Sequence, residues 1–513
     1  MEESNLPPLR PYQAEAVERG VQRGNLLLAL TMGAGKTRVA IETIRQIPGA
    51  CGAVFCTSSL KFQWEAEIKK WWPEATVTVI DGTKKKREAL YKQDPAIFTV
   101  LSYDMLIHDW DLLSKYLPID FVIADEATMI KSFRAKRSKR LKAIGKLTPI
   151  RIALSGQPVE NKPEELFSIM EFVDPEVLGP FHKFDRTFIT RDHWGKPLRY
   201  KNLDTMKSHL KEAMVRKSRK DIEEFLPKRV ETDVPVHLDQ KSAKLYDYIR
   251  RDLLVVLEEM IASGGGGFNL MANYGRAEDE NVNRLKGQVM SRITCMRLLC
   301  NNPQLLMHSA KDFEDEETST GSAYASYLLE EGLLDKLPLT SSKMRAFLAL
   351  VSELREEDAK VVVFSGFKKQ LSLLASQLKE EQIGYTTMNG DTPAKQRKER
   401  MDLFQTNPAV TCFLSSDAGA YGINLDRGSH LINFDLPWSA GALDQRVARI
   451  DRLSSDQEQI NLMYMYTAGT IEERQYGMLN QKSKIADAFL DGEYDASGSL
   501  QLDPTSLREF LSA

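Results

Sequence analysis

The chain has 513 residues, 42% of them hydrophobic and 27% charged, which excludes a disordered or fibrous protein and allows more than one packed core. No apolar run approaches the roughly 18 residues of a membrane-spanning helix, and the acidic, polar start MEESNLPPLR does not have the form of a secretory signal, so a cytosolic location is the default expectation. The net charge of −3 gives no general ground for nucleic-acid binding.

In chain order, the first half offers apolar or β-branched runs at 26–30, 53–57, 76–80, 97–101, 121–125 and 150–154. The second half repeats the texture at 361–365, 410–415, 430–434 and 460–466. Continuous apolar strands separated by helix-period segments predict parallel sheets covered on both faces, and two such sets predict two α/β domains. Between them, 237–300 reads as long helices. GGGG at 264–267 and the polar, acidic stretch 309–323 are expected to be surface loops. The five cysteines include two CxxxxC pairs, Cys51/Cys56 and Cys295/Cys300. Their strand-like and helical settings favour buried thiols over a zinc site.

Local charge is less even than net charge. Residues 131–142, KSFRAKRSKRLK, carry seven basic side chains and no acid, and KKKR at 84–87 and RKSRK at 216–220 are similar. Each run alone suits a solvated face; three in one half of the chain are compatible with a surface that follows phosphates.

Three constellations carry chemistry. MGAGKT, Met32 to Thr37, follows a predicted strand and opens a predicted helix, the setting of a phosphate-binding loop. Gly33 and Gly35, with Ala34 between them, let backbone N–H groups close on phosphate oxygens. Lys36 is placed to reach the β- and γ-phosphates and the Thr37 hydroxyl to ligate Mg²⁺. The strict pattern has a glycine where this chain has Leu30. Asp125 and Glu126 end the run FVIA, where a parallel sheet presents ligand-binding groups. Asp125 is the candidate Mg²⁺ holder and Glu126 the candidate base for an attacking water. Finally, DQRVARIDR contains Gln445, Arg449 and Arg452; the two arginines, three apart, are expected on one helix face, suited to charge that builds on a transferring phosphoryl group.

Taken in order, these segments resemble the superfamily 2 helicase-like ATPases, and within them the SWI/SNF-type branch, over residues 9 to about 490. LRPYQ at 9–13 resembles the Q motif, MGAGKT motif I, CTSSLKFQWEAEIKKWWP at 56–73 motif Ia and LSYDML at 101–106 motif Ib. DEAT at 125–128 stands where DEAH or DEGH is usual, with Thr128 in place of the histidine. LSGQPVEN at 154–161 resembles motif III, and VRKSRKDIEEFLPK at 215–228 and MRLLCNNPQLL at 296–306 resemble two signatures of the branch. VVVFSGFKKQLSLL at 361–374 resembles motif IV, MNGDTPAKQR at 388–397 the segment after it, LSSDAGAYGINL at 414–425 motif V, DQRVARIDRLSSDQ at 444–457 motif VI and GTIEER at 469–474 the closing segment. In motif V an arginine commonly stands at the place of Asp417.

The resemblance implies an α/β fold of two RecA-like parallel-sheet lobes in tandem with helical insertions between them. It implies residues 1–228 as the first lobe with a helical protrusion near its end, 229–340 as helical protrusion and linker with flexible loops near 262–285 and 309–323, 341–490 as the second lobe and 491–513 as a tail. It implies a DNA-dependent ATPase that uses ATP and Mg²⁺ to move along double-stranded, possibly branched, DNA. Lys36, Asp125, Glu126, Arg449 and Arg452 would be its catalytic residues. Arg10, Gln13, Met32, Gly422 and Asn424 would join residues 33–37 in holding nucleotide, with Gln13 reading the adenine edge. Ser59, Lys61, Ser102, Tyr103 and Lys131 of the first lobe and Ser365, Gly366 and Ser415 of the second would touch DNA. Few residues flank the motifs, so a compact motor without chromatin-reader domains is expected, bacterial or viral and acting in the cytoplasm, or nuclear if eukaryotic, with a protein partner as one source of specificity. Two alternatives remain open: a strand-separating DNA or RNA helicase, and an ATP-switched regulatory subunit acting on RNA polymerase or a defence complex.

Overall fold

A computed structural model describes residues 6–159, 164–191, 197–265, 270, 280–315, 320–419, 423–491 and 503–512. The chain divides into two compact units, Met1–Leu226 with Lys482–Gly498, and Pro227–Gln481 with Ser499–Ala513.

The first unit is built on a sheet of seven strands. They are β1 (Asn25–Leu30), β2 (Gly52–Cys56), β3 (Val77–Val79), β4 (Phe98–Ser102), β5 (Phe121–Ala124), β6 (Ile150–Leu154) and, after a small antiparallel hairpin of β7 (Ile189–Arg191) and β8 (Pro197–Tyr200), β9 (Met214–Lys217). The order is β3-β4-β2-β5-β6-β1-β9, and all neighbouring strands in it run parallel. β2, β4 and β5 are buried at every position, as strands covered on both faces must be. The expected strands are therefore present within a residue or two at each end. β9 was not anticipated: MVRK lacks a long apolar run, and it becomes a strand because its backbone completes the edge beside β1.

The second unit opens directly on β10 (Lys228–Val236), which pairs in parallel along nine residues with β15 (Gln459–Thr467). The sheet continues through β14 (His430–Asn433), β11 (Val361–Phe364), β13 (Cys412–Ser415) and β12 (Tyr385–Met388), in the order β10-β15-β14-β11-β13-β12. Side chains alternate across it. Val362, Phe364, Phe413, Leu431 and Leu462 face one apolar layer, and Val361, Val363, Cys412, Leu414, Ile432 and Met465 face the other. β10 lies at a sheet edge and carries the polar alternation KRVETDVPV, which hid it from a search for apolar runs. The helical region read as a separate stretch from 229 to 340 thus begins with a strand of the second sheet.

That region is dominated by two long helices, Gln240–Met260 and Glu280–Asn301, whose facing sides build a third core with Leu253, Leu257, Leu285, Val289 and Ile293. The stretch expected to be a loop at 309–323 is only partly one. The helix Pro303–Glu314 covers its first residues, because Pro303 at the first helical position and the Asn302 side chain, which accepts from the Gln304 N–H, start a helix that ends only at Glu314, within the acidic run. Cys56, Cys295, Cys300 and Cys412 are buried thiols, and Cys51 is half-buried. No helix among the described residues is long and apolar enough to cross a membrane.

One ion pair is sealed inside the second unit. Lys343 is fully buried, and its Nζ lies 2.8 and 2.9 Å from the two carboxylate oxygens of Glu472 and 3.1 Å from Asn301 Oδ1. Glu472 also accepts from the Thr467 N–H. The pair joins the end of the helix Glu280–Asn301, the start of the helix Ser342–Glu356 and the turn after β15. Replacing Lys343 with Met leaves the carboxylate buried and unpaired, so it is expected to cost about 3–5 kcal/mol; denaturant titration of the Lys343→Met variant against the parent chain measures it.

Candidate nucleotide and nucleic-acid site

The first unit's chemistry gathers at the carboxyl edge of its sheet. β1 delivers the loop Thr31–Gly35, in which Gly33 (φ 77°) and Gly35 (φ 78°, ψ 32°) are left-handed. A side chain at either position would be strained there. The helix Lys36–Arg45 starts at once, so its first N–H groups and its dipole face the loop. Lys36 Nζ donates to the carbonyls of Leu30 (3.0 Å) and Thr31 (3.2 Å). An ammonium held by two neutral carbonyls, over a loop of amides with glycine freedom, fits a polyphosphate. Gly156, after β6, keeps this side open: a Cβ there would lie 2.6 Å from Met32 Cγ and 3.5 Å from Lys36 Nζ.

Two strands away, Asp125 and Glu126 leave β5. The Asp125 carboxylate is nearly buried and accepts from Trp64 Nε1 (2.8 Å) and from the Glu126 N–H (2.9 Å). Burial pushes its pKa above the ordinary carboxylate value, while the Trp64 indole, the Lys36 charge and the Glu126 N–H favour the anion. Glu126 holds a left-handed backbone (φ 48°), a strained conformation for a residue with a Cβ, costing on the order of 1–3 kcal/mol. Its carbonyl accepts from the Met129 N–H, and the 3-10 turn Ala127–Ile130, which contains Thr128, follows. Hard oxygens from Thr37 and Asp125 suit Mg²⁺.

The start of the chain braces this loop. Tyr12 OH and Gln13 Nε2 both donate to the Ala34 carbonyl (2.9 and 3.1 Å), and Gln13 Oε1 accepts from the Arg10 N–H (3.0 Å). Gln13 is 2% exposed. Its amide is bonded at both ends, to the Arg10 N–H and the Ala34 carbonyl, and so braces the glycine loop from the start of the chain. Arg10 lies 4.6 Å over the Phe225 ring.

Several of the expected nucleic-acid contacts are interior. Lys61 is 4% exposed and donates to the Ile80 carbonyl and to Asp81. Tyr103 is buried with its hydroxyl on the Asp125 carbonyl (2.7 Å), and Ser102 is buried beside it. In the second unit Ser365 is buried and donates to Asp435, and Ser415 is buried with its hydroxyl on the Ser416 carbonyl. These five side chains do not reach the surface: Ser102, Tyr103, Ser365 and Ser415 stand at the ends of apolar strands, and Lys61 opens the helix Lys61–Trp71 with its ammonium turned onto Ile80 and Asp81. Ser59 and Gly366 are exposed and Lys131 half-buried; Lys131 lies 4.0 Å from Glu165. The basic run is split in the same way. Lys142 is buried against Ser168 and Glu171, and Arg140 is bound to the Leu106 and Ile107 carbonyls. Arg134, Lys136 and Lys139 are exposed.

The second unit's arginines do not share a helix face. The helix Ala440–Val447 ends before them, and a turn carries Arg449 and Arg452 onto one acceptor, the Ile423 carbonyl, each at 3.3 Å. Arg449 Nε also donates to the Gln445 carbonyl. Asn424 lies next to that acceptor with its Oδ1 buried, and Gly422 falls outside the described residues. Asp417 is bound by a residue that the motif reading passed over: Arg446, 1% exposed, whose Nε and Nη2 meet its two carboxylate oxygens at 2.6 and 3.0 Å. A lone arginine among three in one segment gives no signal of burial until its partners are known.

Of these contacts, the Trp64 indole is the one most directly tied to the buried carboxylate. Trp64→Phe removes a charge-assisted bond worth about 1.5–3 kcal/mol, so a divalent-cation titration of the variant's ATPase should need roughly 10–100 times more Mg²⁺ for half-maximal rate; an unchanged Mg²⁺ requirement would show that the indole does not tune Asp125.

Residues 12–305 match the SNF2-related domain and residues 342–454 the helicase conserved C-terminal domain. The chain is 26% identical over 530 residues to the human DNA repair and recombination protein RAD54B, covering 94% of this chain and 55% of that protein. It is 26% identical over 486 residues to the mouse SWI/SNF-related matrix-associated actin-dependent regulator of chromatin subfamily A member 1 (91% and 42%), and 24% identical over 502 residues to an uncharacterized ATP-dependent helicase of Mycoplasma pneumoniae (96% and 43%). It spans about half or less of the length of these relatives. Among solved structures, the Pyrococcus furiosus Hef helicase domain shares the fold, with a TM-score of 0.54 at 14% identity over 91% of this chain and 97% of that one. The Sulfolobus solfataricus SWI2/SNF2 ATPase core in complex with dsDNA aligns over 95% and 94% of the two chains at 24% identity, with a TM-score of 0.40. With more than half of its length matched by one domain family, and a second matched family following it in order, the chain belongs to the SNF2-related, SWI/SNF-type branch of the superfamily 2 helicase-like ATPases.

Proposed function

We propose that the protein hydrolyses ATP and couples hydrolysis to movement along double-stranded DNA, remodelling junctions, forks or protein–DNA complexes. The observation that carries the reading is the edge constellation of the first sheet: a glycine-freed loop and Lys36 at the end of β1, and a buried Asp125 with a strained Glu126 at the end of β5.

Each residue then has a task. The loop amides and the amino end of the helix Lys36–Arg45 bind the polyphosphate, and Lys36 trades two neutral carbonyls for phosphate oxygens, a stronger, charge-assisted partner. Thr37 and Asp125 would hold Mg²⁺, which supplies Lewis-acid neutralisation of phosphate charge. Glu126 accepts the proton of the attacking water. Arg449 and Arg452, in the second unit, are the proposed cations for charge on the γ-phosphate. On the DNA side, Ser59 and Gly366 are exposed loop positions, and the exposed Arg134, Lys136 and Lys139 offer sequence-independent phosphate contacts.

Purified protein should therefore show ATP turnover stimulated by duplex DNA more than by single strands or RNA. Lys36→Ala and Glu126→Gln should each lower it by about 1,000-fold or more, as loss of groups acting on the transferring phosphoryl does. Preferential stimulation by single strands or RNA would replace the translocase reading with a helicase one. A separate measurement addresses the basic helix. Replacing Arg134, Lys136 and Lys139 together with Ala should flatten the dependence of log affinity for duplex DNA on log salt by about 2.7, three phosphate contacts at about 0.9 each; an unchanged slope would remove this face from the DNA path.

A further inference from the structure

The turn that carries Arg449 and Arg452 is held by two ion pairs, one before Arg449 and one between the two arginines. At its start, the Arg446 fork on Asp417 ties the helix Ala440–Val447 to the loop leaving β13. The remaining Arg446 nitrogen, Nη1, donates to the Asp435 carbonyl (2.6 Å) and to Asn433 Oδ1 (3.2 Å), at the end of β14. Asp435 in turn accepts from the Gly366 N–H and the Ser365 hydroxyl, at the end of β11. One guanidinium thus fastens the ends of β13 and β14 directly, and that of β11 through Asp435.

Asp451 sits between the two arginines in sequence and is 4% exposed. Its Oδ2 accepts from Arg229 Nη2 at 2.6 Å. Arg229 is the second residue of β10, the strand on which the second unit opens. The Arg449 carbonyl accepts from the Leu425 N–H (3.0 Å), and both guanidiniums donate to the Ile423 carbonyl through long, 3.3 Å bonds. The ion pairs are shorter, 2.6 Å at Arg446–Asp417 and at Arg229–Asp451. Buried ion pairs contribute little net stability, because desolvation offsets attraction. Two of them within seven residues are better explained by the geometry they impose.

We propose that Asp417–Arg446 and Arg229–Asp451 form a bracket that aims Arg449 and Arg452, so that Asp417, Arg446, Arg229 and Asp451 are positioning residues for phosphoryl transfer. The inference rests on the proposal that these arginines act on the γ-phosphate. It assigns to Asp417 and Asp451 a task in rate and not in nucleotide binding: ATP still binds, but the cations that must meet the transition state are displaced. A misplacement of about 1 Å in such a group costs on the order of 100-fold.

The test is a double-mutant cycle on the full chain, reading kcat and KM for ATP and the melting temperature. Asp451→Asn and Asp417→Asn are each expected to lower kcat about 10–100-fold with KM nearly unchanged, and to have little further effect on kcat when added to the Arg449→Ala/Arg452→Ala double variant, because both groups they aim are gone. Asp417 is 39% exposed, so Asp417→Asn carries the test if Asp451→Asn, by stranding Arg229, fails to fold. A full additional loss in the Arg449→Ala/Arg452→Ala background, in step with a lower melting temperature, would mean that the pairs only hold the fold and would overturn the bracket. Wild-type kcat in both aspartate variants, while Arg449→Ala and Arg452→Ala lose activity, would overturn the bracket and leave the arginine assignment standing. Wild-type kcat in both arginine variants would remove the arginine assignment, and the bracket with it.

Discussion

A parallel sheet covered on both faces has no free polar surface except along its edges. In each unit of this protein the strand interiors are occupied by apolar side chains, so every group capable of chemistry is displaced to the loops that leave the strands. The loop after β1, the Asp125–Glu126 corner after β5, and the turns after β11, β13 and β14 all arise from that one constraint. So does the cost of working there: a carboxylate at the end of a buried strand is half desolvated before any ligand arrives.

Asp125 illustrates how the cost is met. Its carboxylate keeps two donors, the Trp64 indole and the Glu126 amide, and feels the Lys36 charge. Tyr103 secures the same corner from the backbone side. Residues of the motifs next to β2 and β4 are therefore bonded, in part, to the corner that holds Asp125. The same economy appears in the second unit, where Ser365 and Gly366 are bound to Asp435, and Asp435 lies 3.8 Å from Arg446. Loops that would touch DNA and loops that would touch nucleotide are connected through shared buried polar groups, a physical route by which one site can feel the other.

The departures from the usual motif pattern acquire a local logic in this setting. Asp417 does not leave a gap in charge; Arg446 supplies the cation from the neighbouring helix. Asp451, between two arginines, would repel nothing and attract both if left alone. Arg229 binds that carboxylate from β10, and both flanking guanidiniums donate to the Ile423 carbonyl. Thr128 sits within a short 3-10 turn directly after the strained Glu126.

Apolar strand runs, the phosphate loop, the acidic pair and the order of the motifs were legible in the sequence, because each depends on neighbours within a few residues: a glycine that must take positive φ, a strand that must be apolar throughout, a carboxylate that must follow it. The edge strands β9 and β10 were not legible, since their polar sequences become strands only when a partner backbone is beside them. Nor was the burial of Lys61, Ser102, Tyr103, Ser365 and Ser415, since burial is set by partners outside the segment, such as Asp81 for Lys61 and the Asp125 carbonyl for Tyr103. The pairings of Arg446 with Asp417 and of Arg229 with Asp451 span 29 and 222 residues. No local pattern specifies such partners; only the tertiary structure, by bringing four strand ends and one helix end together, decides which of several arginines is committed inside the protein.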